Sequence, residues 1–150
     1  MLFLALFTLR AQAASQPVAI AVGGNNLTQI LWNNPDASLS LWKLAADGSI
    51  TSQIAYGPYS GWSGQALAAG ADSVPRILWK HTPDGQLSLW HDVSGTAGYS
   101  HVEFGPYTSY TAQSLAVGGD NVVRLLWAKS DGTLSLWHDV TGASGYSYAN

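Results

Sequence analysis

The sequence predicts an all-β chain of three tandem repeats, and three observations carry that prediction. Landmarks recur at a fixed period. Trp32, Trp79 and Trp127 close the apolar triplets "ILW", "ILW" and "LLW" at spacings of 47 and 48 residues. Trp42, Trp90 and Trp137 each close "SLW" at 48 and 47. Ile20, Leu67 and Leu115 open "IAVGG", "LAAGA" and "LAVGG", and "YGPYSGW" (56–62) matches "FGPYTSY" (104–110). Each period also divides into short apolar runs separated by Gly, Pro, Asp and Asn. Finally, no segment shows helical spacing with caps over ten residues. Four short antiparallel strands per period describe one blade of a β-propeller.

Repeat two shows the elements in order. "QALAAG" (65–70) is a short apolar strand. "ADS" turns the chain, with Asp72 at the position of Asn25 and Asp120. "VPRILWKH" (74–81) is the second strand, and Pro75 marks its start or an edge, because proline has no ladder donor. "PDG" then turns the chain, Asp-Gly being the strongest short hairpin signal. "QLSLWHDV" (86–93) is the third strand, "SGTAG" a loop, and "YSHVEFGPY" (99–107) the fourth strand, closed by Gly-Pro. The blades run over about 17–62, 63–110 and 111–150, the last incomplete: its fourth strand is cut short at Asn150. Stacked blades bury both faces of each sheet, so "RLLW" and "LSLW" are apolar at consecutive positions. The six strand tryptophans are expected in the core between blades.

Composition narrows the function. The net charge is −3, and the six Lys and Arg are scattered, so no phosphate-binding patch and no nucleic-acid partner is expected. Without cysteine there are no disulfides and no thiolate metal sites. "MLFLALFTLRAQAAS" holds a short apolar run followed by Ala11-Gln12-Ala13, a small-x-small cleavage pattern. Residues 1–13 therefore read as an export signal, with a mature secreted chain from about Ala14 and no membrane association after its removal. The run is too short to span a bilayer.

The strings "VRLLW", "SDGTLSLW" and "YGPYSGW" resemble the repeats of bacterial secreted β-propeller proteins and, more distantly, the tectonin and tachylectin-like lectin propellers. The resemblance covers about residues 17–150. It implies a propeller fold and, through its lectin members, sugar binding. Two other propeller signatures do not match. "SDGTLSLW" has the wrong spacing for the sialidase Asp-box, and each "SLW" is followed by Lys43, His91 or His138 rather than Asp. Propellers close with four to eight blades. Either the chain is a piece of a longer protein, or copies self-associate to close a ring, for example as a six-bladed dimer.

In a four-strand meander, the "PDG"-type turns and the Gly-Pro-Tyr connections fall at the same end. Tyr59 and Trp62, with their counterparts Tyr107 and Tyr110, are flat aromatics beside Asp84 and Asp131 at hairpin tips. Aromatics stack on the C–H face of a sugar while carboxylates bond its hydroxyls, so these six residues are the carbohydrate-binding candidates. The competing role for the aromatics is packing into the gap between blades. His91-Asp92 and His138-Asp139 are expected to diverge, because neighbouring strand residues point to opposite faces. Glycoside hydrolysis needs two positioned carboxylates, and Glu103 is the only Glu. The expectation is an exported, non-catalytic, cofactor-free, lectin-like propeller with glycans as partners. The alternative is a structural or protein-interaction propeller.

Overall fold

A computed structural model describes residues 14–91, 100–140 and 147–149. The export-signal reading of residues 1–13 and the Asp92 position lie outside the described residues. Twelve strands form three four-stranded sheets with no helix among the described residues. The first sheet holds β1 (Gln16–Val22), β2 (Thr28–Asn33), β3 (Leu39–Leu44) and β4 (Ile50–Tyr56). The second holds β5 (Trp62–Ala69), β6 (Pro75–His81), β7 (Leu87–Trp90) and β8 (His101–Phe104). The third holds β9 (Tyr110–Val117), β10 (Val123–Lys129), β11 (Leu134–His138) and β12 (Ser147–Ala149). Every sheet is an antiparallel meander in chain order. The first strands are neighbours: β1 lies beside β5, and β5 beside β9.

Local chemistry repeats with the sequence. Asn25, Asp72 and Asp120 each accept the backbone N–H two residues on, at 3.0–3.1 Å. Asn26, Ser73 and Asn121 follow in the left-handed region, with φ near 60°. At the hairpin tips Asp36, Asp84 and Asp131 accept the N–H of Ser38, Gln86 and Thr133. Gly85 and Gly132 occupy the next, left-handed position (φ 79° and 87°), where Ala37 carries a side chain at φ 65°. Such a φ is strained for a residue with a Cβ.

The first strand of each sheet starts earlier than the apolar pattern indicates. β5 begins at Trp62, not at 65, and a bulge explains the discrepancy. The ladder skips Val18, Gln65 and Gln113, the same position in all three repeats. A bulge inserts one residue and breaks the two-residue alternation. Trp62 and Tyr110 are therefore the first residues of strands, paired with His81 and Lys129. β7 and β8 are shorter than expected: β7 ends at Trp90, one residue before the His91 N–H bonds Ser100 O at 3.0 Å, and β8 ends at Phe104, before Gly105 turns to φ 84°.

The core lies between sheets. Leu31, Leu39, Leu41 and Tyr56 of the first sheet pack against Leu67, Ile77, Trp79 and Trp90 of the second. Leu78, Leu87, Leu89 and Phe104 on the other face of the second sheet pack against Leu115, Leu125 and Trp127 of the third. Each junction thus sets a leucine face on a tryptophan face. Among the described residues only the middle sheet is covered on both sides: β7 is buried throughout, whereas β3 and β11 alternate. This corrects the expectation that all six strand tryptophans are core. Trp79, Trp90 and Trp127 are buried; Trp32 and Trp42 are half-buried because no described sheet covers their face, and Trp137 packs against the second junction's core but stays half-buried at its margin.

One stabilising pair escaped the sequence reading. Arg76 makes two bonds to the Asp72 carboxylate, at 2.6 and 2.7 Å, and donates to the Val74 carbonyl. Its repeat partner Arg124 grips Asp120 in the same way, but both of those side chains are a third or more exposed. Repeat one has Gln29, which donates instead to Ser73 O of the next sheet at 3.0 Å. Arg76→Ala is expected to cost about 1.5–3 kcal/mol, because it removes a buried guanidinium that makes two charge-assisted bonds and covers apolar surface with its stem. Solvent screens the exposed pair, so Arg124→Ala is expected to move the midpoint of urea unfolding much less. Equal shifts would refute the burial argument.

Candidate functional site

Two clefts open where neighbouring sheets meet, and each takes one pair of the sequence-picked aromatics. The first, about 160 Å³, lies at the junction of the first and second sheets. Tyr59 and Trp62 line it together with Trp79, Trp90, His101 and Glu103. Strand register assembles the second-sheet wall. Trp79 pairs with Ser88, Ser88 with Glu103, and Trp90 with His101, so these side chains share one face of the sheet. Tyr59 presents its edge to Trp79 and Trp90, with centroids 5.6 and 5.9 Å away, both at 71°. Trp62 lies over the His81 ring at 5.0 Å. Glu103 accepts a bond from Gln86 at 3.0 Å.

The second cleft, about 310 Å³, lies at the junction of the second and third sheets. Here Tyr107 and Tyr110 meet Asp84, Lys80, Pro106 and Trp127. Tyr107 repeats the packing of Tyr59, edge-on to Trp127 and Trp137 at 5.4 and 5.6 Å. The matching place at the first junction is bridged. The Asn33 amide donates to Gly64 O at 3.2 Å and accepts from Gly64 N at 2.8 Å. A Cβ at Gly64 would sit 3.0–3.1 Å from the methyls of Leu31 and Leu39. Repeat two has Lys80 and repeat three Ala112 at the corresponding positions, so this amide bridge does not form there.

The hairpin carboxylates differ in their use. Asp84 lines the second cleft; the Gln86 N–H and then His81, at 2.7 Å, hold its carboxyl below the usual carboxylate range. Asp131 lines neither cleft. It pairs with Lys129 at 2.8 Å and accepts the Thr133 N–H, and these hold its carboxyl well below the usual range. The structure therefore brings Tyr59 with Trp62, and Tyr107 with Tyr110 and Asp84. It leaves Asp131 apart from both groups.

Ser88, His101, Glu103 and Lys80 are cleft residues the sequence reading did not pick. Their signal is cross-strand register, which needs exact strand bounds. Another feature recurs by position: the indole Nε1 atoms of Trp32, Trp79 and Trp127 are all buried without an acceptor. Trp79 and Trp127 line the two clefts.

The His-Asp expectation is overturned at His138-Asp139. β11 ends at His138, and Asp139 turns into the left-handed region at φ 57°. The two side chains therefore meet, with His138 Nδ1 2.9 Å from Asp139 Oδ2. Strand alternation does not apply past the end of a strand. No cluster of three metal-ligating side chains occurs among the described residues. Comparison of the chain with protein-family models, curated proteins and solved structures gives no match.

Proposed function

We propose that the three sheets are blades of a β-propeller and that the chain is an exported module binding carbohydrate without catalysis. The first cleft carries this reading. Its walls are Tyr59, Trp62 and Trp90, with Glu103, His101 and Ser88 placed among them. A sugar offers a C–H face to such rings and hydroxyls to such polar groups. A single carboxylate among the residues lining the first cleft suits binding rather than hydrolysis, which uses a pair. Two clefts on one scaffold would let weak sites act together through avidity.

The test is an immobilised panel of oligosaccharides, followed by calorimetry on the strongest hit. Trp62→Ala and Glu103→Gln are expected to weaken binding by about tenfold or more, roughly 1.4 kcal/mol per factor of ten. Both positions are partly or fully solvent-exposed, so the fold should persist. Failure of the whole panel, or binding indifferent to both substitutions, would defeat the proposal.

One observation favours a second reading, a structural or protein-interaction propeller. The edge-on seats of Tyr59 and Tyr107 on paired tryptophans are packing arrangements. On that reading Tyr59→Ala lowers stability and there is no glycan affinity to lose.

A further inference from the structure

The two end sheets each leave one apolar face open, and these faces are the two halves of the junction already formed twice inside the chain. On the third sheet, Leu134 and Leu136 are 54% and 39% exposed. Their repeat counterparts Leu87 and Leu89 are 4% and 0% exposed, and Leu39 and Leu41 are 1% and 0%. Among the described residues, no tryptophan face follows the third sheet. On the first sheet, Ile20 is 66% exposed, whereas its counterparts Leu67 and Leu115 are 5% and 8% exposed. Ile20 pairs with Ile30 and Ile30 with Trp42, so Ile20 and Trp42 share that outward face. Trp32 lies 4.8 Å from Trp42 in the same tilted arrangement as Trp79 with Trp90 and Trp127 with Trp137.

We propose that a second copy of this chain covers both faces. The leucine face of each third sheet would seat on the tryptophan face of the other copy's first sheet. The residues that would meet are the repeat counterparts of those that already meet between the first and second sheets and between the second and third. The contact is heterologous at each junction, and such contacts form rings when their rotation closes. Propellers close with four to eight blades. The three described sheets of one copy, joined to the three of a second, fall within that range as a six-sheet dimer. This inference rests on reading the sheets as blades and is independent of the carbohydrate site.

The experiment is sedimentation of the full chain over a concentration series. The wild type is expected at twice the chain mass of 15.9 kDa. Leu134→Glu with Leu136→Glu blocks one face, and Ile20→Glu blocks the other. Each variant alone is expected at the monomer mass. Mixed in equal amounts, they keep one intact pair of unlike faces, and a species of twice the mass is expected to return, more weakly than in the wild type. All three substituted residues are exposed, so near-ultraviolet circular dichroism of the interior tryptophans should be retained in each variant.

A wild type that stays monomeric would overturn the proposal, as would a polymer that lengthens with concentration. So would an Ile20→Glu variant that dimerises like the wild type, since that result means like faces meet. A mixture that remains monomeric would also overturn it. A glycan result on the same samples bears only on the binding proposal, so the two can fail separately.

Discussion

Trp79→Ala is expected to destabilise the chain by about 3–5 kcal/mol, the usual cost of removing a buried aromatic from a core. Trp79 is almost fully buried at the first junction, between the Tyr59 edge at 5.6 Å and the Trp90 ring at 4.7 Å. Its removal empties the centre of a three-ring cluster. The loss is tempered by one term: the Trp79 Nε1 has no acceptor, so its burial already costs some stability. The control is the repeat itself. Trp32 holds the same place in the first sheet, stacked on Trp42 at 4.8 Å, but is only half-buried. In the Ile20→Glu background, where that face stays uncovered, Trp32→Ala should therefore cost clearly less. Urea unfolding followed by fluorescence measures both. Equal losses would mean that intrinsic sheet stability, not the junction, holds the fold together.

Leu89→Ala carries the second large effect, about 2–5 kcal/mol. Leu89 is fully buried in the second junction, in a cluster with Leu78, Leu87, Leu125 and Trp127. Partial collapse of the cavity sets where in that range the value falls. Leu136 is the same residue one repeat later, on the open face. To keep association out of the comparison, Leu136→Ala is made in the Ile20→Glu background. There it is expected to change stability by no more than about 0.5 kcal/mol, as surface substitutions do. A large loss at Leu136 in that background would show that the third sheet's outward face is packed by something else. A small loss at Leu89 would show that the second junction contributes little.

Both comparisons show how far local sequence reaches. The hairpins were legible because Asp-Gly turns and their Asx bonds depend on neighbours within four residues: Asp84 with Gln86 and Asp131 with Thr133 behave alike. The strand starts at Trp62 and Tyr110 were not legible, because a bulge at Gln65 and Gln113 shifts the alternation that reveals a strand. The Arg76–Asp72 pair was hidden for another reason. A four-residue spacing is the cue for a helix, and here it bridges a turn and a strand.

The cleft residues divide on the same line. Tyr59, Trp62, Tyr107 and Tyr110 stand out in sequence because an aromatic motif repeats. Glu103 and His101 join Trp79 and Trp90 only through register across β6, β7 and β8. The contrast between the bridged first junction and the open second one turns on Asn33 with Gly64 against Lys80 with Ala112. Those residues are far apart in the chain and meet only once two sheets are stacked.

The three repeats, the all-β character, the meander within each repeat and the turns that close its hairpins follow from the residues alone. All of these are set by periodicity and backbone preference over a few residues. Which faces are covered follows from how the sheets stack. Leu39, Leu87 and Leu134 are one residue in three copies, yet the first two are buried and the third is exposed. Burial is a property of the neighbour that covers a face, and no repeat encodes in its own residues whether that neighbour is present.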